Sequence, residues 1–239
     1  MWSGPRNIST AMMRSFGARS DTVVSDEPFY GAYLKRSGEQ QPMADAIVQD
    51  MDCDWISVLS HLRGPPPGGA PIWYQKHMPH HMIGDIDIHD FPDHRHAFLI
   101  REPERVIASY GAKRLKVHFD DLRYDRQFEY FEIVRKRFGN IPAVIDSSTF
   151  LADPESQLKL LCRQLHIDWD DNMLNWEAGI RPTDGIWASH WYDAVVTSTR
   201  FGPPPAEMSL LSGDAAKLAE RCRPFYEAMR EHALGIGCI

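Results

Sequence analysis

The residues of this chain best placed to do chemistry lie in two short stretches, each reading as a turn that runs into a helix. The first is Gly4-Pro5-Arg6-Asn7-Ile8-Ser9-Thr10. A helix start leaves backbone N–H groups unpaired and carries roughly half a positive charge, so an anion placed there gains hydrogen bonds and dipole stabilisation. Gly4 lets the backbone come close, Pro5 stiffens the turn and Arg6 adds a fixed cation. No second glycine and no Lys-Ser/Thr pair follow Gly4, so the stretch is not the triphosphate pattern G-x-x-x-x-G-K-[ST]. The second stretch is Phe98 to Tyr110, FLIREPERVIASY, in which Arg101 sits in the turn after an apolar run and Ser109 lies two turns into the following helix.

Both stretches need strand ends to hang from. Thr22 to Ser25, Ile72 to Gln75, Ala97 to Ile100 and Ala143 to Asp146 are short apolar or β-branched runs bounded by loop residues, the pattern of buried strands. Only Met1 and Trp2 precede the first turn, so its strand is short or begins upstream. Between the runs come helical patterns over Met43 to Leu62, Pro103 to Leu115 and Phe128 to Phe138, and one opened by the Asp153-Pro154 pair. A final helix is expected from about Asp214 to Leu234, with Leu218, Cys222, Phe225 and Met229 on one face. Strands alternating with helices imply a parallel sheet in an α/β fold.

The bulk composition narrows the function. The chain has 239 residues, 43% apolar and 25% charged, which suits one α/β domain. No apolar run approaches the about 18 residues of a membrane span. A formal charge of −7 argues against broad nucleic-acid binding and for a small ligand held by a local positive cluster. Cys53, Cys162, Cys222 and Cys238 form no C-x-x-C pair, and with no secretory signal ahead of the first motif a reducing cytoplasm fits best. Residues 168–205 are irregular and rich in Trp, Pro and Gly, and read as a substrate-side lid. The clusters at Pro65 to Gly69 and Pro203 to Pro205 read as stiff surface loops.

The R-x-P-x-x-x-x-x-S segment from Arg101 to Ser109 resembles the sulfotransferase family, in which it holds the 3'-phosphate of the sulfate donor PAPS. Ser3 to Thr10, SGPRNIST, is similar to that family's 5'-phosphosulfate loop, P-[KR]-S-G-T-[TS], with Asn7-Ile8 standing where the family has Ser-Gly. Glu27-Pro28 and Ile145 to His166 also match the family's style, so the resemblance spans residues 2 to about 170. It implies a three-layer sandwich of P-loop NTPase-like, sulfotransferase type, a central parallel sheet flanked by helices, in a single domain over residues 1–239. It further implies a PAPS or PAP site formed by Arg6, Asn7, Ile8, Ser9, Thr10, Arg101 and Ser109, with Arg6 over the 5'-phosphosulfate as the catalytic cation that stabilises the departing phosphate oxygen, no metal, and a small-molecule or carbohydrate acceptor.

Transfer to a hydroxyl or amine calls for a base, an effect worth about 100- to 10,000-fold in rate. Glu27, after one strand end, resembles the glutamate base of carbohydrate-directed members; His77, after another, resembles the K-T-H-x-P segment of cytosolic members. Lys76 is a candidate for assisting the leaving group, although as a strand neighbour it points away from His77. Glu27 as a helix cap is the plainer alternative. His77, His80, His81, His89, His94 and His96 invite a metal reading, but with no known ligand spacing most of them read as solvated or capping loop histidines. Trp176, Trp187, Trp191 and Tyr192 suit either an acceptor pocket or core packing. Two rivals stand beside sulfuryl transfer: a P-loop phosphotransferase, and a nucleotide-binding accessory module without turnover.

Overall fold

In a computed structural model the chain divides into two compact units, one formed by Met1–Ser9, Arg95–Trp169 and Gly202–Ile239, the other by Thr10–His94 and Asp170–Phe201. The structure describes residues 1–114, 116–139, 141–203 and 210–235; Leu115, Pro204, Pro205 and Cys238, named above, lie outside them. The order along the chain is β1 (Trp2–Ser3), α1 (Ser9–Gly17), β2 (Thr22–Asp26), α2 (Tyr30–Ser37), α3 (Ala44–Asp50), α4 (Trp55–Leu62), β3 (Ile72–Lys76) and β4 (Ala97–Ile100). There follow α5 (Pro103–Gly111), α6 (Phe119–Leu122), α7 (Tyr124–Phe138), β5 (Ala143–Asp146), α8 (Ser147–Ala152), α9 (Pro154–Gln164), α10 (Ala188–Trp191), α11 (Asp193–Val196) and α12 (Gly213–Arg230).

The first unit is built on a parallel sheet of order β1-β4-β5, with Trp2 paired to Phe98 and Ile100 to Asp146. β4 and β5 are buried along their whole length, which is why they read as unbroken apolar runs. Gln127 on α7 donates to the Leu99 carbonyl at 2.9 Å and to that of Trp2 at 3.3 Å, tying the helix to two strands. α12 packs on α5 and α7 through Ala219, Cys222, Tyr226 and Met229, and Leu234 N–H then bonds the Val144 carbonyl of β5 at 2.8 Å. The α/β class with a parallel sheet flanked by helices is as expected from the alternating pattern. β1 is two residues long, Trp2–Ser3.

The second unit pairs β2 with β3, again parallel, in a register that sets Asp26 opposite Lys76. Around this pair sit α2, α3 and the segment from Trp187 to Tyr192, whose Tyr30, Tyr33, Leu34, Ile47, Trp187 and Tyr192 share one buried cluster. Trp176, 8% exposed, packs edge-on against Phe201. Four helices differ from expectation, among them α5, which ends at Gly111 and not at Leu115. The run from Met43 to Leu62 is two helices, because Asp52 accepts from Asp54 N–H at 2.9 Å and Asp54 caps α4 by accepting from Ser57 N–H at 2.8 Å, local bonds that compete with the helical ladder. α7 begins at Tyr124 rather than Phe128, and α12 stops at Arg230, four residues short of Leu234. α9 starts as read, with Asp153 accepting from Ser156 N–H at 3.1 Å.

Candidate functional site

In the first unit the loop from Gly4 to Ser9 joins β1 to α1. Its left-handed residues are not Gly4 but Arg6 (φ 57°) and Ile8 (φ 49°). For a β-branched residue that region costs of order 1–3 kcal/mol, so the loop is held by its surroundings. Asn7, 3% exposed, does the holding: it donates to the Leu99 carbonyl at 2.6 Å, and its Oδ1 accepts from Ser147 at the start of α8. The Asn7 side chain is thus committed to the fold. Ser9 opens α1 and is buried.

The two sequence motifs converge on Arg6. Arg101, at the β4–α5 junction, donates from Nη1 to the Arg6 carbonyl at 2.6 Å. Arg6 in turn donates from Nε to the hydroxyl of half-buried Ser109 at 3.1 Å. Tyr124 donates to the Arg101 carbonyl at 2.8 Å and fixes that turn. Burial pulls the Arg101 guanidinium below its ordinary range, Arg105 and Arg6 add like charge in the same direction, and Glu102 opposes them. Crowded, partly desolvated cations on two strand-to-helix turns are the setting an anion relieves.

The second unit holds a different arrangement at the ends of β2 and β3. Lys76 Nζ, on a side chain 1% exposed, lies 2.7 Å from Asp26 Oδ1, 2.8 Å from Glu27 Oε1 and 2.7 Å from the Tyr192 hydroxyl, with Thr10 Oγ1 at 3.4 Å. An ammonium has three N–H donors, and these neighbours engage them. Tyr192 donates to Asp26 Oδ2 at 2.6 Å and accepts from Trp187 Nε1 at 3.1 Å. Although burial penalises its charge, the neighbouring Asp26 and Glu27 hold Lys76 well above its ordinary range, so it stays a cation; burial raises Asp26. Glu27 is itself at φ 47°, with its carboxylate on Lys76 and 11% exposed. It does not cap α2, whose N-cap is Phe29 with no side-chain bond.

A model described as a sulfotransferase domain matches residues 1–233. The chain belongs to the sulfotransferase family. It is 34% identical over 237 residues to the Branched-chain-amino-acid aminotransferase-like protein 2 of Arabidopsis thaliana, and 34% identical over 235 residues to protein 1 of the same name and plant. Each match covers 97% of this chain and 41% of the relative, so the chain spans 41% of the length of the curated relatives it matches. Among solved structures, the sulfotransferase domain from the curacin biosynthetic pathway is similar at a TM-score of 0.53 and 12% identity, over 93% of this chain and 95% of that one; it shares the fold. The sulfotransferase domain from the Synechococcus PCC 7002 olefin synthase has a TM-score of 0.49 at 15% identity, over 92% of each chain.

The candidate bases are in unlike settings. His77 is buried, lies within hydrogen-bonding distance of Gln75 Oε1 at 3.1 Å and rests against Phe29 and Phe91. Lys76 turns instead to the carboxylates, as alternation along a strand requires. Histidines read above as solvated or capping are in several cases core residues: His77, His80, His81 and His96 are buried, while His89 is exposed. His81 is stacked between Tyr30 (4.5 Å) and Tyr33 (4.9 Å), with Nε2 3.9 Å from Glu27 Oε2, and burial with the nearby Lys76 pushes it well below the usual histidine range. Among the described residues no group of three or more His, Cys, Asp and Glu is placed to hold a metal ion, and no helix is long and apolar enough to cross a membrane. Reading the sequence missed Asp26, Tyr192 as a hydroxyl and Ser147, and placed His81 in a loop rather than in the core. Asp26, directly beside Glu27 at a strand end, was the one signal that could have been found there.

Proposed function

We propose that the chain transfers a sulfuryl group from PAPS to a hydroxyl or amine of a small-molecule or carbohydrate acceptor. The observation that carries this reading is the convergence of Arg101 and Ser109 on Arg6 at two strand-to-helix turns. The residues present fit such a donor: the cation-rich turn at Arg101 suits a phosphate, and the backbone N–H groups of Asn7 to Thr10 at the start of α1 suit a second anionic end. When bound, the donor supplies an activated sulfuryl group with PAP as the leaving group. Arg6, Arg101 and Ser109 grip the 3'-phosphate, and Ser9 and Thr10 face the phosphosulfate end. This reading moves Arg6 from the phosphosulfate, where the sequence resemblance put it, to the 3'-phosphate, and its contact with Ser109 supports the change.

On the acceptor side Glu27 takes the proton. As the acceptor oxygen or nitrogen bonds to sulfur and the bond from sulfur to the phosphate oxygen breaks, the acceptor proton passes to the Glu27 carboxylate. Two features support Glu27 over His77. Its carboxylate is 11% exposed and is held by the Lys76 ammonium, whereas His77 is buried between Phe29 and Phe91 with Nε2 against Gln75. Lys76, with its donors already engaged, anchors Glu27 rather than reaching the leaving group. The experiment is a turnover assay with PAPS over a panel of hydroxyl and amine acceptors. Glu27→Gln is expected to lose about 100- to 10,000-fold in kcat with PAP affinity retained, while His77→Asn keeps most of its activity. The opposite ranking moves the base to His77, and no turnover with any acceptor favours an accessory module.

A further inference from the structure

The buried ion cluster contains one more charged group than an anchored base needs. Lys76 and Glu27 alone would be a neutral pair at 2.8 Å. Asp26 adds a second carboxylate 2.7 Å from the same nitrogen, on a side chain 1% exposed, and the Tyr192 hydroxyl fixes its other oxygen at 2.6 Å. The β2–β3 register places it there, since Asp26 is the strand partner of Lys76. We propose that Asp26 is a positioning residue that acts through Lys76 to set the basicity of Glu27, with Tyr192 holding Asp26 in its ionised, Lys76-facing geometry. This rests on the reading of Glu27 as the base.

The charged and titratable groups facing the cluster come from several elements, and each bears on the sign. Asp26 and Glu27 end β2, Tyr74 and Lys76 lie on β3, Thr10 is on α1, His81 is on the turn after β3, and Tyr192 follows α10. His81, held neutral by burial, adds no charge near neutral pH. Tyr74 and Tyr192 are pushed by burial above the ordinary tyrosine range and stay protonated. Both Asp26 oxygens accept, one from the Lys76 ammonium and the other from the Tyr192 hydroxyl, so the cluster sets two carboxyl groups, Asp26 and Glu27, against the one ammonium of Lys76. Removing the Asp26 charge leaves Glu27 in a neutral pair, and its affinity for a proton falls.

The test is the acid limb of the pH–rate profile together with a titration of the Glu27 carboxyl, followed by NMR on protein with 13C-labelled glutamate and assigned by the signal lost in Glu27→Gln. In Asp26→Asn both the limb and the Glu27 titration are expected to move down by about one pH unit, with lower plateau kcat and unchanged KM for PAPS. Tyr192→Phe keeps the ring but removes the hydrogen bond that favours the Asp26 anion, so it shifts both the same way by less, and it serves if Asp26→Asn fails to fold. An Asp26→Asn protein whose Glu27 titrates as in the wild type overturns the inference. If instead Glu27→Gln retains turnover, the base assignment falls, while the NMR titration still reports whether Asp26 governs Glu27.

Discussion

The two charged clusters of this chain handle charge in opposite ways. Around Arg6 and Arg101 the cations are partly buried and meet a backbone carbonyl and a hydroxyl, with Glu102 the neighbouring carboxylate that opposes their mutual repulsion. Around Lys76 the single cation is enclosed by two carboxylates and a phenol and answered more than fully. On the proposed function the first arrangement takes up an anion and the second takes up a proton. The first stores its tension in backbone, at Ile8 and Arg6, and the second stores it in electrostatics.

If that contrast holds, removing the central cation of the second region has the largest effect. Lys76→Met leaves Asp26 and Glu27 facing each other without a counter-charge, and the expected loss is about 3–5 kcal/mol of stability near neutral pH. The sign with pH follows from the carboxylates, whose folded-state values rise above their unfolded ones in the variant. Its stability is then best retained below the ordinary carboxylate range and lost as pH rises through the raised values. Chemical denaturation between pH 4 and 8 should show the variant approaching wild type at the acid end. A deficit independent of pH would mean that the cluster is packing and not charge.

A smaller effect belongs to His81. Its folded-state value lies well below the ordinary 6.5, so its contribution to stability is present above pH 6.5 and is lost as pH falls through the depressed value. The expected slope is up to about 1.4 kcal/mol per pH unit on the acid side of 6.5, and His81→Phe should flatten it. An unchanged slope would show that the imidazole takes up its proton in the folded state. The smallest effect is in the first region: Ile8→Gly relieves the left-handed strain against the added freedom of the unfolded chain. A net gain of about 0.5–1 kcal/mol, or roughly 1–3 °C in Tm, is expected, and a fall in Tm would show that the Ile8 side chain contributes more by packing than its backbone costs.

Much of this was legible in the sequence where the signal is local. Each of the four apolar runs is a strand, and the caps at Asp153 and the Pro103 helix start follow from side chains near in sequence. The break between α3 and α4 was equally local, written in Asp52 and Asp54, but an apolar periodicity that continues across it masked the two aspartates. What the sequence did not disclose depends on pairing across distance. Asp26 meets Lys76 through strand register, and Tyr192 arrives from more than a hundred residues away. The burial of His80 and His81 depends on Tyr33, and that of His81 also on Tyr30, on a helix the pattern did not announce. The convergence of Arg101 and Ser109 on Arg6 was foreseen as two anion-holding turns but not as a direct contact.

The central claim, that the Arg6, Arg101 and Ser109 cluster holds the donor nucleotide, is tested most directly by titrating the protein with PAP, ADP and ATP, with and without Mg²⁺, and repeating the titration on Arg101→Ala. PAP is expected to bind most tightly without metal, and Arg101→Ala to weaken it by about 10- to 100-fold, the range for losing a charge-assisted hydrogen-bonding partner. Tighter binding of ATP with Mg²⁺, or an unchanged PAP affinity in Arg101→Ala, would contradict the account.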